Sequence, residues 1–333
     1  MVRDPAGFKP RMYPPPEFPP RKVPAFANTP PAIFPVLLGL LGLVLALRVG
    51  LVHLGLPPGI GDLAAGLAVP LWAVGVWAYG AKLARRPGVI FEDLKVMPSR
   101  AGLSAATMGG MAAAALIAPH APRLALALLV VALVLHAVLA LLVARLLAGL
   151  PPEGREVNPT WHLTFVGFIV GGVAAALLDQ PGLARGLLWA TVPVAAAIWG
   201  LSGVQALKRV PPAALRPLLA IHLAPASLFT SVALLTGHMA LAVIFAVIAI
   251  GIFLVLAASV RWITETGFSP LWGAMTFPLA AFATALIRLG GVWAWAGLAL
   301  LALAVGTIPL IAWNVLKLWP GGRLAARTNA AEA

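Results

Sequence analysis

Long apolar stretches recur along the whole chain, separated by short segments that carry prolines, glycines and charges. A helix needs about 20 apolar residues to cross about 30 Å of hydrocarbon. The ten stretches of suitable length are 31–52, 63–83, 102–118, 123–148, 161–178, 185–206, 215–236, 239–260, 269–288 and 291–316. The third, GLSAATMGGMAAAALIAP, is the weakest because it is rich in glycine and alanine. The pattern therefore predicts an all-α integral membrane protein with ten transmembrane helices.

The composition favours the same class. Of 333 residues, 61% are hydrophobic and 10% are charged, and the mean hydropathy is +0.98, which leaves too little polar surface for a soluble globule. We expect a proline-rich cytosolic tail over residues 1–30, a membrane domain over 31–317 and a short cytosolic tail over 318–333. The first tail lacks the apolar run and cleavage site of a secretory signal, so we expect it to be retained.

The basic residues orient these predicted helices. With the amino terminus in the cytosol, 19 of the 23 Lys and Arg residues fall on the inner side and four on the outer side. This asymmetry is what the positive-inside rule predicts for an even number of helices. The net charge of +13 is thereby explained by topology, and we expect no nucleic-acid partner.

The chain repeats a helical hairpin about every 55 to 70 residues, so the odd-numbered helices all run outward. This repeat predicts five hairpins with pseudo-fivefold symmetry. Helix breakers and hydroxyl side chains concentrate on the odd helices, and in a membrane they are tolerated where they face protein or a water-filled cavity. We expect the odd helices to line a pore and the even helices to surround them, although close helix packing would also explain small residues. The candidate lining residues are Ser104, Thr107, Gly110, Thr164, Pro225, Ser227 and Thr276.

The chemistry of these spans favours an anion over a cation. No Asp or Glu lies at membrane depth in any predicted span, and the chain has no cysteine. Cation and proton pathways need buried carboxylates, and metalloenzymes need clusters of ligating side chains. We therefore expect no enzymatic activity, no cofactor and no metal. Hydroxyl hydrogens and free backbone N–H groups can instead stabilise an anion.

Several basic side chains are candidates for attracting anions. Arg48 and Arg288 end two odd helices at the outer mouth, while Arg145 and Arg261 lie at the inner one. Each is also explained as a topology determinant that snorkels to the interface. His222 lies about 10 Å into helix seven by helical rise, where it is either a packing residue or a candidate contact for a proton or an anion.

Four segments carry a resemblance to a known family. The segments FPVLLGLLGLVLAL, NPTWHLTFVGFIVGG, HLAPASLF and WGAMTFPLAAFATA resemble the tellurite-resistance/dicarboxylate transporter family. This family includes bacterial tellurite-resistance anion channels and the plant guard-cell slow anion channel. The similarity extends over about residues 31–317, and the order and spacing of the segments make it specific.

The resemblance implies a homotrimer with a separate pore in each protomer and a phenylalanine that plugs the pore at mid-membrane. That phenylalanine maps onto Phe277, which is followed by Pro278. In the plant channels a second phenylalanine on helix five also lines the pore. The matching position here is Ile169, with Phe168 beside it, so the chain departs from a two-phenylalanine gate. The alternative for Phe277 is a packing role between helices.

The expected function is therefore a channel for small monovalent anions such as chloride and nitrate, with a link to tellurite resistance. The alternative is a proton-linked carrier or exporter of an oxyanion or dicarboxylate such as tellurite, sulfite or malate. A trimeric scaffold with an occluded pore is a third hypothesis. We expect a bacterial inner-membrane location with both termini in the cytoplasm, as the charge distribution indicates.

Overall fold

The computed structural model describes residues 24–333, apart from the side chains of Pro152 and Glu153. Most of the predicted proline-rich tail, through residue 23, lies outside these residues. The described chain is helical and contains no strand. Its α-helices are α1 Phe34–His53, α2 Gly59–Arg85, α3 Val89–Lys95, α4 Met97–Ile117, α5 Pro122–Ala148, α6 Phe168–Leu177, α7 Pro181–Lys208, α8 Leu223–Leu235, α9 Met239–Ala258, α10 Val260–Ile263, α11 Gly273–Leu289, α12 Gly291–Leu316 and α13 Arg323–Thr328.

Short turns of tighter or wider helix precede four of these helices. Three-ten turns at Pro31–Ile33, Ala213–His222 and Pro270–Trp272 lead into α1, α8 and α11, and a π-helical turn at His162–Val166 leads toward α6. Proline lies inside or at the start of each of the three tighter turns, where a missing N–H and a fixed φ limit regular α-helix.

Eight helical segments in the described chain are long and apolar enough to cross a membrane. They correspond to eight of the ten predicted spans. The other two predicted spans are also helical, at Met97–Ile117 and at His162–Leu177. The first is rich in glycine and alanine, and the second is shorter than a full span.

Burial divides the spanning helices into two groups. In the segments that contain α1, α8 and α11, between 61% and 78% of the most apolar window is buried. In α2, α5, α7, α9 and α12, the buried share is only 22% to 28%. Most residues of α4 and α6 are buried as well. The inner helices are therefore α1, α4, α6, α8 and α11, which belong to the odd predicted spans, and the even predicted spans lie on the surface, in agreement with the distribution of breakers and hydroxyl side chains.

The inner helices contact one another in a closed order. Helix α1 packs against α4, α4 against α6, α6 against α8, α8 against α11, and α11 again against α1. Each of them also packs against the outer helix that follows it in the chain. The main hydrophobic core lies between these inner helices and their outer partners.

A buried ion pair fixes α3 near the end of α2. Lys82 Nζ lies 2.8 Å from Asp93 Oδ2, and both side chains have 0% exposure. The Tyr79 hydroxyl donates to the same carboxylate at 3.0 Å, Lys82 also donates to the Thr29 carbonyl, and the Ala331 N–H donates to Asp93 Oδ1. A buried charge pair is stable only when such further hydrogen bonds satisfy it, so this cluster joins four separate segments.

The segment after α12 folds back toward the beginning of α1. Helix α13 packs against the turns Pro31–Ile33 and Pro270–Trp272. Leu324 is fully buried and Thr328 is 4% exposed. This segment therefore covers the amino-terminal ends of two inner helices.

Candidate functional site

A small cavity of about 50 Å³ lies between the five inner helices. Four of these helices contribute to its wall from their amino-terminal halves, and α6 contributes through the turn that leads toward it, which means that the five segments run in one direction. One wall residue from each helix or its leading turn illustrates this arrangement: Pro35, Ala105, Leu163, Ala224 and Phe277. Thr328 of α13 also lines the cavity.

The wall of this cavity is apolar. Among the residues that the structure describes, Thr160 and Thr328 are the only wall residues with a side-chain hydroxyl, and no charged side chain lines it. A volume of about 50 Å³ accommodates a few water molecules.

Phe277 borders this cavity and is 5% exposed. Its ring lies against Gly42 of α1, because a β-carbon built there would be 2.7 Å from Phe277 Cδ2. A β-carbon on Gly39 would likewise overlap the Thr276 side chain. The next residue, Pro278, lies inside α11 and removes one helical hydrogen bond. The two glycines of α1 therefore make room for this part of α11.

The predicted hydroxyl residues on α4 and before α6 bond to each other. Ser104 Oγ lies 2.9 Å from Thr164 Oγ1, and both side chains are buried. Thr107 Oγ1 donates to the Ser104 carbonyl and lies 2.6 Å from His136 Nδ1. None of these hydroxyls belongs to the wall of the central cavity; they link neighbouring helices.

The remaining predicted lining residues are also held within or between helices. Ser227 donates to the Leu223 carbonyl at 2.8 Å, and Thr276 donates to the Gly273 carbonyl at 2.7 Å. Pro225 is buried within α8. Gly110 faces α5, since a β-carbon there would lie 3.0 Å from Ala132. The cavity wall includes their helices but not these residues.

Phe168 and Ile169 also lie away from the cavity wall. The Phe168 ring packs edge-on against His136 with ring centroids 4.5 Å apart. Ile169 is 1% exposed and belongs to the main hydrophobic core. In the described conformation, Phe277 is the aromatic side chain that borders the cavity.

The arginines predicted to attract anions have different surroundings. Arg48 pairs with Asp62 at 2.6 Å and donates to the Leu116 carbonyl at 2.6 Å. Arg288 has a buried Nε with no hydrogen-bond partner in the described part of the chain. Arg145 and Arg261 are exposed. Only Arg48 of these four therefore has its charge compensated by a carboxylate within residues 24–333.

His222 contacts a second histidine that sequence reasoning did not pair with it. His162 Nε2 lies 3.0 Å from His222 Nδ1, and Trp199 Nε1 donates to the His222 carbonyl at 3.2 Å. His162 Nδ1 is buried without a partner in the described residues. Because sixty positions separate the two histidines, the sequence gives no sign of this contact.

A protein-family model described as voltage-dependent anion channel, SLAC1, matches residues 28–317. The chain belongs to this SLAC1 family. The family resemblance predicted from the four sequence segments is therefore confirmed. No curated protein matched the chain in sequence. Membership in this family, together with the apolar helices, shows that the chain is a multi-pass membrane protein of an anion-transporting family.

Proposed function

We propose that this SLAC1-family protein is an anion channel whose permeation path runs between its five inner helices and is closed at Phe277. The observation that carries the proposal is the cavity between the amino-terminal halves of these helices, which Phe277 borders. No carboxylate lines it among the described residues, so a permeating anion would meet no negative side chain there.

The surroundings of Phe277 support a gating role. A phenylalanine ring in a narrow tube excludes water, and ions then meet a dewetted constriction. Gly42 leaves space for the ring in the closed position, and Pro278, directly after the ring, removes a helical hydrogen bond that would otherwise stiffen this part of α11. A change of side-chain rotamer is sufficient to move such a ring out of the path.

The proposal includes ten transmembrane helices arranged as five hairpins about a pseudo-fivefold axis. Segments Met97–Ile117 and His162–Leu177 are the two with weaker membrane character. Their positions between other inner helices support this assignment, because a helix that contacts protein rather than lipid does not need an apolar surface on every side. The closed order of the inner helices supports a ring around one path.

The assembly and location belong to the same proposal. The family resemblance supports a homotrimer with one pathway in each protomer and a link to tellurite resistance. The excess of basic residues on one side supports cytoplasmic termini in a bacterial inner membrane. Light scattering of the purified protein in nanodiscs measures the protomer number directly, and a monomer or dimer would exclude the trimer.

The test of the gate is the Phe277→Ala variant in planar bilayers. Removing the ring widens the path at the constriction, and we expect a large steady anion current that wild type lacks. The matched control is Phe282→Ala in the same helix, because Phe282 is also buried but packs against Phe253 with ring centroids 4.9 Å apart. This control should lower stability by about 3–5 kcal/mol without adding current.

The packing hypothesis for Phe277 gives a different result. In that case Phe277→Ala leaves a cavity that costs about 3–5 kcal/mol of stability, and the variant carries no more current than wild type or Phe282→Ala. This outcome would exclude Phe277 as the gate and would leave an occluded scaffold as the better description.

A proton-linked anion carrier is the second candidate function, and the His162–His222 contact is the observation that favours it. Two imidazoles that share a hydrogen bond can accept and release a proton. A reversal potential measured in a chloride gradient, with and without a pH gradient across the membrane, separates the hypotheses. A channel keeps the reversal potential that the anion gradient sets, whereas coupled transport shifts it with the pH gradient.

A further inference from the structure

A second, larger cavity of about 530 Å³ opens on the side of the molecule between α7 and α9. Its volume is within the range of small-molecule sites, and most of its wall is apolar. The wall includes Trp199 and Ser202 of α7, Val255 of α9 and His222 at the start of α8. The hydroxyl of Ser202 is buried and has no hydrogen-bond partner in the described chain. This lateral cavity is separate from the central one described above.

Two glycines, one on each wall helix, border the open space of the lateral cavity. Gly203 of α7 and Gly251 of α9 both line it, and a β-carbon on either would meet no atom within 4 Å. Glycine inside a helix costs stability relative to alanine, by roughly 0.5–1 kcal/mol. No close backbone contact requires glycine at these two positions, so a larger side chain at either would extend into the open space.

The lateral cavity approaches the central cavity closely. Met97 and Leu218 line both cavities. These two side chains therefore form a shared wall between the candidate permeation path and the flank of the protein. A molecule that filled the lateral cavity would therefore contact two of the side chains that line the central one.

The mouth of the lateral cavity faces a surface that combines apolar and basic character. Leu207 is 89% exposed and Val255 is 67% exposed, and only 22% of the apolar window of α7 or α9 is buried. Lys208 ends α7, and Arg209 follows it in the cavity wall and pairs with Glu156. Lys208 has no ion-pair partner among the described residues.

We propose that one acyl chain of an anionic membrane phospholipid occupies this lateral cavity, with its phosphate near Lys208 and Arg209. Acyl chains are the medium that surrounds exposed apolar helices in a bilayer, and basic residues at the end of a helix attract anionic headgroups. The bound acyl chain packs against Met97 and Leu218 on the side away from the central cavity. It thereby helps to keep these two wall residues in place. The inference requires the membrane location and is independent of which anion permeates.

The test uses a phosphatidylglycerol probe with a photoactivatable diazirine on its acyl chain, incorporated at low density in proteoliposomes of the full-length protein. After illumination, peptide mapping locates the label. We expect concentrated labelling of Met97 and of the α7 and α9 segments at 199–206 and 251–256. A phosphatidylcholine probe with the same acyl chain should label this site less, because its headgroup carries no net charge.

Filling the cavity should remove this labelling. Gly251→Phe and Gly203→Leu each add a side chain to the open space and should abolish the label at Met97. The matched control is Gly306→Phe on α12, since Gly306 is also an exposed helical glycine with no atom within 4 Å of its built β-carbon. Thermal unfolding of all variants checks that each one folds. Two filling variants are used so that the test still holds if one of them does not fold.

Two results would overturn the proposal. The first is equal labelling of all outer helices, with no change in the filling variants. Such labelling is expected of bulk lipid rather than of a lipid bound at one site. The second is protection of the cavity by another protomer, seen as labelling that appears only when the assembly dissociates. A Phe277→Ala variant that carries no more current than wild type would leave both labelling results unchanged, so failures of the two proposals are distinguishable.

Discussion

A β-carbon built on Gly42 of α1 would lie 2.7 Å from Cδ2 of Phe277 in α11, and 3.1 Å from its Cε2. The phenylalanine ring therefore occupies space that a glycine leaves open. The contact joins two inner helices that are far apart in the chain, and it fixes the position of the ring beside the central cavity.

This contact predicts energetic coupling between the two positions. Gly42→Ala should destabilise wild type by about 1–3 kcal/mol, because it overpacks the contact. In the Phe277→Ala background the same change should be neutral or stabilising, since alanine has the higher helix propensity. Unfolding free energies of the four proteins form a double-mutant cycle.

The control for this cycle is Gly66→Ala on α2, where a β-carbon would meet no atom within 4 Å. It should show no coupling to Phe277. A Gly42→Ala penalty of the same size in both backgrounds would show that the alanine clashes with something other than the ring. Current measured on Gly42→Ala alone reports whether a displaced ring opens the path.

Arg48 and Arg288, which the sequence predicts at the outer mouth, should differ in their effect on conductance. Arg288 has no carboxylate partner in the described residues, whereas Arg48 pairs with Asp62. Arg288→Gln should lower anion conductance at about 0.01 M salt, where the Debye length is about 30 Å, and have little effect near 1 M. Arg48→Gln should change low-salt conductance less, since the Arg48–Asp62 pair has little net charge. Single-channel conductance over a salt series in the Phe277→Ala background measures both effects, and equal losses at every salt concentration would contradict the prediction.

Selectivity should follow the cost of dehydration. The wall of the central cavity is apolar and carries no positive side chain among the described residues, so it cannot replace the hydration shell of a strongly hydrated anion. Nitrate should permeate at least as well as chloride, and sulfate should permeate poorly. Bi-ionic reversal potentials of Phe277→Ala measure this order. A higher permeability for sulfate than for nitrate would rule out an apolar path.

The buried pair of Lys82 and Asp93 should be essential for stability. Asp93→Ala leaves an unpaired buried ammonium and should cost about 3–5 kcal/mol. Replacing both residues, as Lys82→Met with Asp93→Leu, should recover much of this loss. Glu92→Ala is the neighbouring control, because its pair with Arg86 is exposed and such pairs contribute about 0–1 kcal/mol. Thermal unfolding in detergent ranks the variants, and an Asp93→Ala protein as stable as Glu92→Ala would refute the prediction.

The sequence by itself determined the membrane class, most of the helices and the family. Hydropathy and charge are local properties of the chain, so eight spans, the separation into inner and outer helices and the family resemblance could all be read from composition and order. The family resemblance placed the candidate gate at Phe277, directly before Pro278 in an inner helix, and this role stays a prediction. For the segments Met97–Ile117 and His162–Leu177 hydropathy was a weaker guide, because burial between other helices relaxes the need for an apolar surface.

Only the tertiary structure decided what each polar side chain contacts. The hydroxyls of Ser104 and Thr107 bond to Thr164 and His136 on neighbouring helices, contacts that the sequence did not reveal, and their place in a pore lining stays a prediction. The pairing of Arg48 with Asp62 and the lateral cavity between α7 and α9 also became visible only in the fold. The physical reason is that helix periodicity fixes which residues share a face, whereas a partner in another helix depends on how the helices pack and rotate about their axes.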